Sequence, residues 1–159
     1  MEKVMFNHKS LLISIKPEFS AKIFKGEKKI ELRKGKPKLN PGGVILIYST
    51  APEKALVGYC FLKEIIEDHP DVIWANYRSL LGIDKDRYAE YYKGSIRAIG
   101  LVISMPQLFA SPIPLATIRN NDPKFLPPQT FKYFESMKDL SKTLGVSILN
   151  QQLKIPLDV

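Results

Sequence analysis

The chain is poor in the residues that hold proteins together covalently or through metals. It has a single cysteine, Cys60, among 159 residues, which excludes an internal disulfide and any thiolate metal cluster. Two histidines, His8 and His69, are too few for a histidine-rich metal site. Cys60 stands in an apolar, strand-like run, where a cysteine usually serves as a small buried hydrophobe. We therefore expect no metal and no other cofactor.

Long hydrophobic runs are also absent from the sequence. No apolar stretch approaches the roughly 20 residues that a membrane-spanning helix needs, and residues 1–9 lack the apolar core of a signal peptide. A composition of 45% hydrophobic and 25% charged residues is ordinary for a globular protein. These features predict a cytoplasmic protein with one main domain and no membrane partner.

Acidic residues are scarce in the first third of the chain. Residues 1–38 hold 11 Lys and Arg against 4 Asp and Glu, whereas the other 121 residues hold 13 against 12. The first third of the chain therefore carries +7 of the formal net charge of +8. A one-sided positive field favours a polyanion such as nucleic acid, although lysines that only maintain solubility give the same excess. The loop at 34–43 contributes Lys34, Lys36 and Lys38, which suit salt-dependent phosphate contacts.

Apolar periodicity and turn residues divide the chain into strands and helices. The predicted strands are 11–15, 30–33, 44–48, 55–65 and 96–103, followed by an edge segment at 108–115 and a strand at 146–149. The predicted helices run from Pro17 to a cap at Gly26, from His69 to about Leu81, from Asp84 to Tyr92 and from Phe131 to Gly145. This order predicts an α+β protein with a basic tail at 1–10, one domain at 11–145 and a C-terminal extension at 146–159.

The stretch between the first helix and the next strand concentrates charge inside a predicted core element. Because side chains alternate faces along a strand, Glu31 and Arg33 share one face and Ile30 and Leu32 the other. Lys28 has the wrong parity to join Glu31 unless it does so from the turn after the helix or through a bulge. A half-buried edge strand with a solvated charged face fits the same spacing. We expect Glu31 and Arg33 to be paired and to face a cleft.

Several stretches, in a fixed order, resemble one known family. The segment from Leu11 to Arg33 resembles the opening of the ASCH family, a branch of the PUA-like folds, which carries Gly-x-Lys-x-x-(Glu or Thr)-x-Arg after its first helix. Further matches are Ile47-Tyr48-Ser49-Thr50, Val57-Gly58-Tyr59, Tyr91-Tyr92-Lys93-Gly94 and Pro127-Pro128-Gln129-Thr130-Phe131-Lys132-Tyr133. The resemblance implies a small PUA-like mixed β-barrel with helices closing its ends.

The resemblance also implies a cleft beside the first helix. Carried over to this sequence, its residues are Lys16, Lys28, Glu31, Arg33, Tyr48, Ser49, Gln129 and Tyr133, with Tyr92 at the barrel mouth. A glutamine offers a donor and an acceptor to a base edge, a tyrosine ring can stack, and a lysine or arginine can hold a phosphate. The cleft would therefore suit RNA or a nucleotide-like small molecule, although the tyrosine stripe around Tyr92 is more often core packing.

The family that this sequence resembles includes members with different catalytic activities. Some family members hydrolyse an acylated (N4-acetyl) cytidine, with the motif lysine and a threonine implicated together with a distant acid, and others cut RNA. Here Glu31 replaces that threonine, and the distant acid could be Glu64, Glu67 or Glu90. A catalytic lysine needs a lowered pKa, which an adjacent Glu31 opposes. Our first hypothesis is a non-catalytic module that binds RNA or a modified nucleotide, with a regulatory role in transcription or translation. The alternatives are a small hydrolase of an acylated cytidine or a ribonuclease, either one using Lys28 and Glu31, and a protein-interaction domain.

Overall fold

The computed structural model describes residues 9–153. Six strands lie in this range: β1 (Ser10–Ile15), β2 (Ile30–Arg33), β3 (Val44–Ser49), β4 (Ala55–Asp68), β5 (Ala98–Pro114) and β6 (Phe131–Phe134). The helices are α1 (Pro17–Lys25), α2 (Pro70–Tyr77), α3 (Lys85–Tyr91), α4 (Leu115–Asn121), α5 (Met137–Leu144) and α6 (Val146–Gln152), with a 3₁₀ turn at Arg78–Leu80. No helix in this part of the chain is long and apolar enough to cross a membrane.

All six strands join one curled sheet in the order β2-β5-β4-β3-β1-β6. β1 and β3 pair in parallel, and the remaining neighbours pair antiparallel. Three register shifts along the long β4–β5 pair bend these strands, and the sheet closes to a half-barrel with β2 and β6 at its edges. The predicted α+β class and PUA-like architecture are therefore confirmed.

Strand β5 is longer than the sequence pattern predicted. The segments expected at 96–103 and 108–115 form a single strand of 17 residues. Its second half pairs only with β4, because the pairing of β5 with β2 extends no further along β5 than Val102. Pro112 and Pro114 are tolerated there because an edge segment leaves one side of the backbone without ladder hydrogen bonds.

Strand β3 separates two hydrophobic cores. Val44, Leu46 and Tyr48 pack into a cluster with α5 and α6, whereas Ile45 and Ile47 pack into a second cluster that includes α1. All six residues of β3 are buried, as its continuous apolar run predicts for a strand covered on both faces. The parity of a residue in β3 therefore decides whether it faces the C-terminal helices or the α1 side of the sheet.

The C-terminal part of the chain departs from two predictions. The helix expected from Phe131 begins only at Met137, because residues 131–134 pair antiparallel with β1 and Ser136 caps the helix by accepting from the Asp139 N–H. The strand expected at 146–149 is wrong, since these residues form α6. Leu149 is buried against the core, and Leu153, four residues later, packs on the same cluster. Most of the tail predicted at 1–10 lies outside the described residues.

Gly26 ends α1 in the left-handed conformation that the sequence predicted. Its φ is +79°, and its N–H donates to the carbonyls of the preceding turn. We expect Gly26→Ala to lower the free energy of unfolding by on the order of 1 kcal/mol, because alanine resists positive φ. Urea unfolding measures this cost. A Cβ at Gly26 or at Gly35 would meet no atom within 4 Å, and only Gly26 has positive φ. An equal loss in Gly35→Ala would contradict the assignment to backbone strain.

Candidate active site

A cavity of about 780 Å³ opens between α1, α3 and the ends of β1 and β2. We call it the Lys28 cavity. The polar and aromatic side chains around it are Ser14, Lys16, Phe19, Lys28, Glu31, Arg33, Thr50, Arg87, Glu90, Tyr91 and Gln129. Five of the predicted site residues are among them: Lys16, Lys28, Glu31, Arg33 and Gln129.

Glu31 joins two cations at the floor of this cavity. One carboxylate oxygen, Oε2, accepts from Arg33 Nη2 at 2.9 Å, and the other, Oε1, lies 3.6 Å from Lys28 Nζ. Oε1 also accepts from the backbone N–H of Leu32 at 3.2 Å. The predicted pairing of Glu31 and Arg33 on one face of β2 is confirmed. Lys28 reaches the pair from the turn between Gly26 and the strand.

Lys28 is a buried amine held by the end of the 3₁₀ turn. Its side chain is 3% exposed, and Nζ donates to the Leu81 carbonyl at 2.6 Å. Gly82 packs so closely that a Cβ there would lie 2.7 Å from Lys28 Cβ. The Lys29 N–H donates to the Leu80 carbonyl at 2.8 Å and fixes the backbone beside it. The amine is therefore positioned by backbone groups as well as by Glu31.

Burial lowers the pKa of Lys28 below its ordinary value. Taking the ammonium out of water is the largest cause, the Glu31 carboxylate opposes it, and Arg33 acts in the same direction as burial. Glu31 opposes the lowered pKa of Lys28, as the sequence predicted, but desolvation outweighs the attraction of this one carboxylate. The lowered pKa gives Lys28 a property that a general base requires.

Arg33 and the loop that carries Gln129 are connected through Ser14. Arg33 Nη2 donates to the Ser14 carbonyl at 2.8 Å, and the Ser14 hydroxyl donates to the Pro128 carbonyl at 2.7 Å. The guanidinium also lies 5.8 Å from the centre of the Phe131 ring. One residue at the end of β1 thus fixes both a cation at the cavity floor and the loop beside it.

The rim of the cavity is built by α1 and α3. Arg87 donates to both carboxylate oxygens of Glu18, at 3.0 and 2.8 Å, and its guanidinium lies 4.8 Å from the centre of the Phe19 ring. Glu90 and Tyr91 follow on α3, and burial raises the pKa of the Tyr91 phenol. None of Phe19, Arg87 and Tyr91 was predicted as a site residue.

The sequence matches a known protein family. A family model described as "ASCH domain" matches residues 13–105, more than half of the chain. The chain belongs to the ASCH family. An ASCH domain-containing ribonuclease of Zymomonas mobilis is 28% identical over 143 residues, which cover 88% of this chain and 96% of that protein.

Solved structures of a Zymomonas mobilis ASCH protein share the fold. One crystal structure superposes with a TM-score of 0.79 at 26% identity, covering 86% of this chain and 94% of the other. A serine-to-alanine variant of that protein gives 0.77 at 27% identity, covering 84% and 95%. These matches cover most of this ASCH protein.

Four residues predicted from the resemblance do not line the Lys28 cavity in this ASCH protein. Tyr48 is 3% exposed within the core cluster beside α5, and the buried Ser49 hydroxyl lies 3.2 Å from that of Ser20. Tyr92 packs in the core and donates to the Arg33 carbonyl at 2.9 Å, which leaves its neighbour Tyr91 at the cavity. Tyr133 accepts from the Lys38 N–H instead.

The three candidates for a distant acid separate clearly in this ASCH domain. Glu90 lines the Lys28 cavity. Glu67 lies 3.8 Å from Lys36 and 3.5 Å from Arg97 on the far part of β4, and Glu64 is an exposed residue of the same strand. Among the described residues, no group of three His, Cys, Asp or Glu is arranged to hold a metal ion.

Proposed function

We propose that this ASCH protein cleaves RNA in the Lys28 cavity, with Lys28 as general base. The observation that carries the proposal is a buried amine with a lowered pKa, in a cavity that Arg33 and Arg87 also line. The similarity to a ribonuclease supports RNA as the substrate. A module that only binds RNA gains nothing from an amine with a lowered pKa, because phosphate contacts require a charged lysine. Cleavage is therefore favoured over our first hypothesis of non-catalytic binding.

The proposed reaction is an internal attack by the ribose. Lys28 takes the proton of a 2′-hydroxyl, the 2′-oxygen bonds to the adjacent phosphorus, and the bond from phosphorus to the 5′-oxygen breaks. The leaving 5′-oxygen takes a proton from water at the open rim, giving a cyclic 2′,3′-phosphate and a 5′-hydroxyl end. Arg33, held by Glu31 and Ser14, supplies fixed positive charge for the developing charge on phosphate.

Other side chains that line the cavity would hold the base of the reacting nucleotide. The Gln129 amide offers both a donor and an acceptor, and the Ser14 hydroxyl fixes its loop at Pro128. Tyr91, 37% exposed at the rim, presents a ring on which a base can stack. Together with Lys16, which is exposed beside them, these groups provide base and phosphate contacts in one cavity.

The test compares two strands that differ only in the 2′-hydroxyl. We expect the purified protein to cut a labelled RNA oligonucleotide and to leave DNA of the same sequence intact. Mass spectrometry of the fragments should find the cyclic phosphate. Intact RNA, or equal cleavage of DNA, would contradict the proposal, because the 2′-oxygen is its nucleophile.

A second candidate function, hydrolysis of an acylated cytidine, rests on Glu90. It is the one of the three predicted acids that shares a cavity with Lys28, and the family resemblance implies an acid in that role. Incubation with N4-acetylcytidine distinguishes the two reactions, since hydrolysis of its amide bond releases cytidine and acetate. Release of cytidine without RNA cleavage would favour this candidate.

A further inference from the structure

A second concave surface lies on the basic loop, separate from the Lys28 cavity. It has a volume of about 780 Å³ and is lined mainly by loop residues, among them Lys9, Lys36, Lys38, Asn40 and Pro41, with Ile65 of β4. We call it the Lys38 groove. Three of its lining residues are lysines and none is acidic. Its chemistry is therefore that of an anion site.

The positive charge of the Lys38 groove is largely unneutralised. Lys36 has one carboxylate nearby, Glu67 at 3.8 Å, which also lies 3.5 Å from Arg97. Within residues 9–153, neither Lys9 nor Lys38 forms a salt bridge, and the Lys9 ammonium lies 4.5 Å from the centre of the Tyr133 ring. An anion entering the groove would thus meet lysines with little competition from carboxylates.

The groove is ordered by contacts at both ends of its loop. The Lys38 N–H donates to the Tyr133 hydroxyl at 2.9 Å. The Gly42 N–H donates to the Leu62 carbonyl at 2.7 Å, and the Leu62 N–H donates to the Gly43 carbonyl at 2.9 Å. Leu39, between these anchors, is buried. A ligand therefore binds a formed surface, which reduces the entropic cost of ordering it.

A line of cations connects the groove with the Lys28 cavity. Arg33 lines the cavity and Lys36 the groove, and three residues of extended chain separate their Cα atoms by at most about 11 Å. Between them, the Lys34 ammonium lies 5.0 Å from the centre of the Tyr91 ring at the cavity rim. Of the three loop lysines, Lys36 and Lys38 therefore line the groove, whereas Lys34 contacts the cavity rim at Tyr91.

We propose that the Lys38 groove is a second binding site, which takes the sugar–phosphate backbone of a nucleic-acid strand whose reacting nucleotide occupies the Lys28 cavity. The proposal rests on the proposed function for the cavity itself. Phosphates repeat along a strand, so a line of cations that leads away from the cavity suits this ligand better than an isolated anion. Lysines act as point charges, so the site reads charge and strand length but no base sequence.

The test uses two variants of equal charge. Lys9, Lys36 and Lys38 are changed together to glutamine in the groove variant. In the control variant Lys93, Lys124 and Lys138, which are exposed and line neither surface, are changed in the same way. Binding of a fluorescent dinucleotide and a fluorescent decanucleotide RNA is titrated by anisotropy between about 50 and 200 mM salt. Both variants, and the parent protein measured beside them, carry Lys28→Met so that the RNA stays intact.

We expect the groove variant to lose affinity for the decanucleotide and not for the dinucleotide. Loss of three phosphate contacts should reduce the log–log salt slope for the decanucleotide by about 2, at roughly 0.7 for each contact with a single strand. The control variant should keep the original slope. An equal loss in both variants, or an equal loss for both RNAs, would overturn the proposal.

Two further outcomes separate this proposal from its alternatives. If a polyglutamate peptide binds as tightly as the decanucleotide and loses as much affinity in the groove variant, the groove takes acidic peptides and the proposal fails. If the decanucleotide shows the expected groove dependence while the protein with Lys28 intact leaves RNA uncut, the groove stands and the proposed cleavage fails. If the protein with Lys28 intact cleaves RNA and the groove variant keeps the original salt slope, the proposed cleavage stands and the groove proposal fails.

Discussion

Replacing Lys28 with methionine is expected to reduce RNA cleavage by roughly 10²–10⁴-fold, the usual contribution of a general base. Methionine fills a similar volume, so the contact with Gly82 can persist while the nitrogen is lost. RNA affinity should change far less, because Arg33, the loop lysines and the aromatic rim remain. Single-turnover cleavage of a labelled oligonucleotide, measured beside anisotropy binding, separates the two effects.

The neighbouring lysine provides the matched control for this substitution. Lys29 is exposed and does not line the cavity, so Lys29→Met should cleave at the original rate. Lys28→Arg keeps a positive charge that cannot be given up at ordinary pH, and it should be as inactive as Lys28→Met. Activity in Lys28→Arg would show that Lys28 acts only through its charge and would contradict its role as a base.

The pH dependence of cleavage follows from the direction of the Lys28 pKa. Burial lowers that pKa, so the amine loses its proton at a lower pH than a free lysine does. Because only the neutral amine accepts a proton, kcat/KM should rise with pH through the lowered pKa and level off before an ordinary lysine titrates. The rate of Lys28→Met, measured over the same range, gives the base-catalysed background of RNA. A profile that falls across this interval would contradict the assignment.

The charged floor of the cavity could be predicted because it is local in sequence. Two-residue periodicity places Glu31 and Arg33 on one face of β2, and the turn after Gly26 gives Lys28 its separate approach. These two short-range rules thus define the ion pairs. The same periodicity in β3, with Tyr48 on one face and Ile47 on the other, does not say which core each face meets. Tyr48 therefore could not be assigned to a side of the sheet.

The rim of the cavity depends on contacts between distant parts of the chain. Arg87 bonds to Glu18 across 69 positions, and no local pattern connects the two. On α3 the choice between Tyr91 and Tyr92 depends on how the helix is rotated against β2, which the tyrosine spacing leaves open. Glu90 was one of three equivalent acids until the fold placed it at the cavity. The net charge of a segment also does not say where its side chains lie in the fold. An excess of lysines in residues 1–38 therefore does not reveal that these lysines line two separate surfaces.

Replacing Glu31 with glutamine is expected to weaken substrate binding far more than it weakens the fold. The amide keeps the shape of the side chain but removes the charge that orients Arg33 at 2.9 Å. Hydrogen bonds to charged groups contribute about 1.5–3 kcal/mol, so KM should rise roughly ten- to a hundredfold if Arg33 loses its position. Loss of one partner from a buried ion pair typically costs about 3–5 kcal/mol of stability. Here the loss should be smaller, because Lys28 can release its proton and Arg33 keeps the Ser14 carbonyl.

The same substitution should move the pH profile in a direction that a purely structural role would not produce. The Glu31 carboxylate raises the pKa of Lys28 against the effect of burial, so its removal lowers that pKa further. The rising limb of kcat/KM should therefore shift to lower pH in Glu31→Gln, even though KM increases. Glu27→Gln, an exposed change in the same turn, provides the control and should leave both KM and the profile unchanged. If the rising limb of kcat/KM stays at the same pH in Glu31→Gln, Glu31 and Lys28 are not electrostatically coupled. Thermal melting of both variants shows whether the substitution affects the fold instead.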